Sequence, residues 1–232
     1  IRGPMKVFAH EVGAAAVVSH FVFHEDRHPE ATCWCNGWAD DAGGWALKAS
    51  DCRLTGFQIP PTLGKRLREL LAHGPVLCEA KVGGRIGEGK LPVVTGVLRG
   101  QTDEEILLDG HLYEAGALDN ASGCAAMLEI ARLMAALPRP RRTVRVLFTS
   151  ECYGTYAFYT LRPDLLRRTL TGMNLDCVGE KESLERPAIL YRSSEANPGA
   201  IDTLLAHAFA LTEHLPGAVP VKLASHALSD NV

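Results

Sequence analysis

From about residue 92 onwards, hydrophobic positions alternate between the spacing of strands and the spacing of helices. Short β-branched and apolar runs predict strands at 105–108, 143–149 and 173–178. Between them, 122–137 is apolar on most faces and predicts a buried helix, and 153–161 predicts a shorter one. Such alternation is typical of an α/β domain with a mostly parallel central sheet flanked by helices.

Two more helices are predicted outside this alternation. Leucines at helical spacing follow a Pro-Pro pair over residues 60–73 and stop at Gly74, which is a common helix terminator. The apolar stretch 198–211 predicts the other helix, with Asn197 as its N-cap and Pro198 as its first residue.

Residues 1–90 differ in amino-acid composition from the rest of the chain. They are rich in Gly, Trp, Cys and His and have only short apolar runs. We therefore predict a smaller, β-rich subdomain over residues 1–90 and the α/β domain over 91–232. Near their boundary, residues 76–82 and 91–98 are joined by a Gly-rich loop and predict a β-hairpin.

Composition narrows the range of functions. The chain has 232 residues, 47% of them hydrophobic, and a net charge of −3, which is enough for a sizeable core. It shows no basic stripe typical of nucleic-acid binding, and its apolar runs are shorter than the roughly 18 residues of a membrane span. Seven scattered cysteines favour a reducing, cytoplasmic compartment over a disulfide scaffold. Because the chain opens at Ile1 and stops abruptly at Val232, we expect it to be truncated at both ends.

Side chains suited to metal binding or proton transfer follow the predicted strands. His111, Glu151 and Asp176 each lie at or just beyond the end of a different strand, and Asp119 lies between the first strand and the buried helix. In open α/β sheets, ligands bind outside the carboxyl ends of the strands, so these four residues are expected at one edge. One histidine and two carboxylates suit Zn²⁺.

Each of the four also has a simpler explanation. His111 could be a polar loop residue, Asp119 could cap the buried helix, and Glu151 could lie on the surface. Asp176 is harder to explain in this way, because burying an unpaired carboxylate in an apolar strand costs several kcal/mol. Since all four are expected at the same edge, we favour a metal site.

Three segments carry a resemblance to a known family: GHLYEAGALDNASGCAAMLEIARL, VRVLFTSECYGTYAF and MNLDCVGE. Over about residues 92–180, the chain resembles the co-catalytic zinc aminopeptidases, a family whose relatives include glutamate carboxypeptidases, and a bacterial branch in particular. Residues 10–85 resemble the protease-associated insert that many of these enzymes carry.

The resemblance implies a role for each candidate residue. His111 and Asp176 would bind one zinc, Asp119 would bridge it to a second, and Glu151 would be the general base that takes a proton from the attacking water. The reaction implied is hydrolysis of a peptide or other amide bond near a free amino terminus. The resemblance also implies a cis peptide bond between Asp119 and Asn120.

The sequence departs from the family at the second metal. Where the family has two consecutive acidic residues, this chain has Glu151 and Cys152, and its last histidine ligand is replaced by Asn231, with His226 nearby. A Cys thiolate binds zinc, so Cys152 is a candidate ligand as well as a candidate for core packing, whereas Asn231 is a poor ligand. Where the family usually has an aspartate two residues after the first histidine, this chain has Tyr113. We expect one zinc to bind, and a second to bind more weakly or not at all.

Two other functions stay open from sequence. A single-metal or metal-free relative could act on a non-peptide amide or only bind a ligand, and an interaction module could use the first region to dock a partner. The expected substrate is a peptide or other small amide. No nucleic-acid partner is expected, and an oligomer is allowed.

Overall fold

The computed structural model of the protein describes residues 3–22, 24–32, 50–83, 87–114, 116–151, 153–179, 188–193, 199–215, 218 and 220–224. Cys152, Asn197, Pro198, His226 and Asn231 lie outside these ranges, so the predictions made for them stay predictions. The chain divides into two compact units, Ile1–Arg85 and Ile86–Val232. Within the described ranges, none of the helices is both long enough and apolar enough to cross a membrane.

The first unit contains two helices and a small parallel sheet among its described residues. Strands β1 (Ala16–Ser19) and β2 (Thr55–Gln58) pair in parallel. Helix α1 is Gly3–Glu11, and helix α2 is Pro61–His73. Helix α2 begins with proline, which suits the first turn because its missing N–H has no partner there, and it ends at Gly74 as predicted. The protease-associated character of this region stays a prediction.

The second unit is built on a mostly parallel four-stranded sheet, as predicted. Its strands are β3 (Val94–Leu98), β4 (Thr102–Leu112), β5 (Arg142–Ser150) and β6 (Thr169–Asn174), in the order β3-β5-β4-β6. Strand β4 pairs in parallel with both β5 and β6, whereas β3 runs antiparallel to β5. The carboxyl ends of β4, β5 and β6 therefore meet at the same edge.

Helix α3 (Ala121–Ala135) packs against the sheet and closes the hydrophobic core. The core cluster contains residues of β4, α3 and β5: Leu108, Cys124, Met127, Val144 and Phe148. Strands β4 and β5 occupy the centre of the sheet, and parallel strands in that position need apolar residues over most of their length. The apolar runs 106–108 in β4 and 146–148 in β5 are the reason that the pattern alone located these strands.

The remaining elements complete the second unit. Helix α4 (Gly154–Leu161) packs against β5 and is followed by the single-turn α5 (Pro163–Leu166). Strands β7 (Ala188–Tyr191) and β8 (Val221–Ala224) form a separate parallel pair, and α6 (Ala200–Thr212) lies between them in sequence.

The predicted hairpin between residues 76–82 and 91–98 is wrong. Residues 76–82 form no strand, and β3 pairs with β5 instead. This pairing places Val94 opposite Phe148 and Leu98 opposite Val144, beside the hydrophobic core, whereas Leu77 is fully exposed. A β-branched run predicts a strand but not its partner, and here the partner that offers apolar contact is β5.

Two predicted strands also change their bounds. Strand β4 spans Thr102–Leu112 and is longer than the predicted 105–108. Strand β6 ends at Asn174 rather than at residue 178. Leu175 still donates a backbone hydrogen bond to the Asp109 carbonyl oxygen of β4, and beyond it the side chain of Asn120 accepts from the Cys177 N–H in place of a neighbouring strand.

Within the described residues, helix α6 begins at Ala200. The Asp202 carboxylate accepts a hydrogen bond from the Gly199 backbone N–H at 3.3 Å, and this contact fixes the helix start.

Candidate metal centre

His111 lies one residue before the end of β4, and only 1% of its side chain is exposed. Its Nε2 atom lies 3.2 Å from Asp119 Oδ1 and 3.6 Å from Asp176 Oδ1. His111 is therefore a buried strand residue facing two carboxylates, and the simpler explanation of a polar loop residue is wrong. The structure brings together the three side chains that the sequence selects as metal ligands.

Asp119 does not cap helix α3. The cap is Asn120, whose Oδ1 accepts a hydrogen bond from the Gly123 backbone N–H at 3.1 Å. The Asp119 side chain is 52% exposed and is directed to His111 instead. The peptide bond between Asp119 and Asn120 is cis, as predicted.

The buried Asn120 side chain also joins α3 to the segment after β6. Its Nδ2 donates to the Leu175 carbonyl oxygen at 3.0 Å, and its Oδ1 accepts from the Cys177 backbone N–H at 3.4 Å. A Cβ on Gly123 would lie 2.0 Å from the same Leu175 oxygen, so only glycine permits this close approach. These contacts fix the two chain segments that carry the carboxylates of Asp119 and Asp176.

We expect Asn120→Ala to lower the free energy of unfolding by about 2 kcal/mol or more. The substitution removes a helix cap, worth about 1 kcal/mol, and leaves the Leu175 carbonyl without its side-chain donor. Gln101→Ala is the control, because it removes an exposed amide that makes one hydrogen bond, to the Arg139 carbonyl oxygen. It should change the free energy by about 0.5 kcal/mol or less. Urea unfolding measures both, and equal losses would contradict the linking role of Asn120.

Glu114 joins the site although the sequence did not single it out. Its carboxylate, His111 and Asp119 form a group whose ligand atoms all lie within 4.8 Å of one another. Burial, a hydrogen bond with Asp119 and the negative charges of Asp119 and Glu151 raise the pKa of Glu114 to about 7. A bound cation would reduce the repulsion between this carboxyl group and the other carboxylates around it.

Cys177 is the second residue that the sequence missed. Its thiol and the carboxylates of Asp119 and Asp176 form another group within 4.8 Å. Burial, followed by a hydrogen bond with Asp176 and the charges of the nearby carboxylates, raises the pKa of Cys177 to about 12. From sequence, Cys152 is a candidate ligand and equally a candidate for core packing, and a signal for Cys177 existed in its position directly after Asp176.

Glu151 lies at the same edge of the sheet. Strands β4 and β5 are in register with Leu112 opposite Ser150, so Glu151 follows directly at the carboxyl end of β5. It is partly buried, and it is close enough for its charge to contribute to the raised pKa of Glu114. Tyr113, which stands where the family has an aspartate, is turned elsewhere, since its hydroxyl donates to the Pro92 carbonyl oxygen.

The donors at this edge fit a zinc-type cation. They comprise one imidazole nitrogen, several carboxylates and a thiol, which are the ligand types that Zn²⁺ accepts. Asp119 belongs to both candidate groups, so its carboxylate lies within reach of the donors of each.

The sequence matches a known family model. Peptidase family M28 matches residues 93–216, which include β4, α3, β5 and β6. No curated protein matches the sequence at a significant level.

Solved structures share the fold. A candidate peptidase from Clostridium acetobutylicum has a TM-score of 0.58 and 21% identity, with 77% of this chain and 40% of that chain covered. A glutaminyl cyclase from an Acidobacteriales bacterium has a TM-score of 0.50 and 18% identity, with coverage of 61% and 54%. A more distant structure is the Legionella pneumophila LapA aminopeptidase, with a TM-score of 0.45, 14% identity, and coverage of 60% of this chain and 42% of that chain. The chain thus spans about half the length of these proteins or less.

Proposed function

The chain belongs to Peptidase family M28, and we propose that it is a zinc-dependent hydrolase that cleaves a peptide or other amide bond next to a free amino terminus. The observation that carries the proposal is the position of the buried His111, whose Nε2 lies 3.2 Å from one carboxylate and 3.6 Å from another. An imidazole aimed at two acidic side chains is typical of residues that share a cation.

His111, Asp119 and Asp176 would hold the metal, and Glu114 offers a further carboxylate beside them. When bound, zinc polarises the substrate carbonyl and lowers the pKa of water to about 7. Glu151 would accept the proton of the attacking water and return it to the leaving amine. Its place at the end of β5, across from the end of β4, supports this role, because a general base must lie beside the metal without occupying it.

The charge of the site supports a substrate with a free amino group. Four carboxylates converge here: Glu114, Asp119, Glu151 and Asp176. A bound zinc ion would offset two of these negative charges, and the negative charge that remains attracts a protonated amino terminus and disfavours an acidic one. This preference is the basis for proposing an aminopeptidase rather than another amide hydrolase.

The metal content follows from the donors. We propose one zinc, with a second bound more weakly or not at all, because Cys152 and Asn231 stand where the family has stronger ligands. These same departures favour the alternative function, a degenerate relative that acts on a non-peptide amide or only binds a ligand. For residues 1–90, we propose a protease-associated-like subdomain.

A hydrolysis assay on the full chain tests the proposal. The zinc-loaded protein should hydrolyse an aminoacyl amide with a free amino group, lose this activity when a chelator removes the metal, and regain it with zinc. The N-acetylated form of the same substrate is the matched control and should not be cleaved. Equal rates on both substrates would contradict aminopeptidase specificity, and a zinc-loaded protein inactive on both would favour the ligand-binding alternative.

A further inference from the structure

Cys177 lies beside the candidate metal centre but has no part in the hydrolysis described above. Its Sγ and the carboxylate oxygens of Asp119 and Asp176 all lie within 4.8 Å of one another. The His111 Nε2 is buried and lies 3.6 Å from the Asp176 carboxylate, so a nitrogen donor faces the same group. Cys177 is thus part of a set of sulfur and oxygen donors, and the His111 nitrogen lies next to one member of this set.

The backbone brings Cys177 and Asp176 to the same side although they are neighbours in sequence. In an extended strand, successive side chains point to opposite faces. Strand β6, however, ends at Asn174, and Cys177 has a φ of 52°, in the left-handed region that few non-glycine residues adopt. Its N–H donates to Asn120 Oδ1, which holds this turn in place.

The environment of Cys177 differs from that of a packing cysteine. Cys124 is a packing cysteine in this fold, since it is buried in the core and its thiol donates to the His111 carbonyl oxygen at 3.3 Å. Cys177 is exposed, so it contributes little to the core, and its thiol faces carboxylates. Carboxylates and a thiol converging on one point are explained by a shared metal, because a thiolate is a strong ligand for zinc.

We propose that the Sγ of Cys177 is a ligand of the metal held by Asp119 and Asp176. On binding, the thiol proton passes to solvent and the sulfur bonds to the metal. A sulfur donor favours zinc, cadmium and cobalt over magnesium and manganese, so the centre is selective for the softer cations. The inference rests on the proposed metal centre and is independent of which bond the protein cleaves.

X-ray absorption at the zinc edge, on the full zinc-loaded chain, tests this directly. We expect a sulfur shell at about 2.3 Å in addition to nitrogen and oxygen at about 2.0–2.2 Å. Cys177→Ser should lose the sulfur shell and keep the shorter shell. Cys78→Ser is the matched control, because Cys78 is an exposed free cysteine of the first unit, and this variant should keep the sulfur shell.

The other outcomes separate the inference from the proposed function. A wild-type zinc spectrum with nitrogen and oxygen only would overturn the role of Cys177 while leaving the metal centre intact. A sulfur shell that persists in Cys177→Ser and disappears in Cys152→Ser would assign the sulfur to Cys152 and would also overturn it. A wild-type chain that binds no zinc would refute the proposed function and the inference together. If Cys177→Ser fails to fold, cobalt-loaded Cys152→Ser decides instead, since cobalt–thiolate bonds give a strong near-ultraviolet charge-transfer band. A band that remains in this variant supports Cys177, and its loss would overturn the inference.

Discussion

Glu151→Gln is expected to reduce turnover by about 10²–10⁴-fold while the protein keeps its fold and its metal. Glutamine has the size of glutamate but cannot accept the proton of the attacking water. Glu151 lies beyond β5 rather than in either candidate ligand group, so zinc content should stay unchanged. Steady-state kinetics on a free-amino substrate, together with metal analysis of both proteins, measures the effect.

The control for this variant is Glu129→Gln. Glu129 is an exposed residue of α3 whose carboxylate pairs with Arg132 on the same helix, so this change is identical in chemistry but distant from the site. It should leave turnover unaltered within error. If Glu151→Gln is as active as the control, Glu151 has a structural role and another group takes the proton.

His111→Asn should weaken zinc binding by more than the roughly 10–100-fold that is typical of residues in the outer shell of a metal site. The variant removes the nitrogen that lies 3.2 Å from Asp119 and 3.6 Å from Asp176, and it leaves those carboxylates to hold the metal without it. Competition titration against a chelator of known affinity measures the loss. Hydrolysis should fall in parallel at limiting zinc.

His207→Asn is the matched control for this measurement. His207 lies on α6 and is exposed, so removing its imidazole should not change zinc affinity. Circular dichroism of the metal-free proteins checks that both variants fold. Wild-type zinc affinity in a folded His111→Asn protein would remove this residue from the set of ligands.

The sequence predicts the part of the site that depends on regular structure. His111, Glu151 and Asp176 each lie at or just after the end of a strand of the parallel sheet, and the rule that ligands bind at that edge is sufficient to place them together. The apolar runs of β4 and β5 locate their strands because both lie in the centre of the sheet.

Irregular segments account for what the sequence did not predict. Glu114 lies in the connection between β4 and α3, and Cys177 lies just beyond β6, where no periodicity operates. The position of Cys177 depends on Asn120, which accepts from the Cys177 N–H and bonds to Leu175 across 55 residues of sequence. The cap of α3 illustrates the same limit, since Asp119 and Asn120 are both favoured caps and only the three-dimensional contacts select Asn120.

The local pattern also did not predict which strands pair with each other. The β3 sequence predicts a strand correctly, but its pairing with β5 is decided by contacts with residues some fifty positions later. For example, the Thr95 hydroxyl of β3 donates to the Val146 carbonyl oxygen of β5. The same reasoning explains why the strand pair of the first unit, β1 with β2, joins segments far apart in the chain.

A crystal structure of the full chain grown with zinc, with anomalous diffraction recorded at the zinc edge, tests the central claim most directly. We predict an anomalous peak at about 2.0–2.2 Å from His111 Nε2 and from carboxylate oxygens of Asp119 and Asp176. An anomalous peak bound elsewhere, with these three side chains directed away from one another, would contradict the assignment of this edge of the sheet as the metal centre.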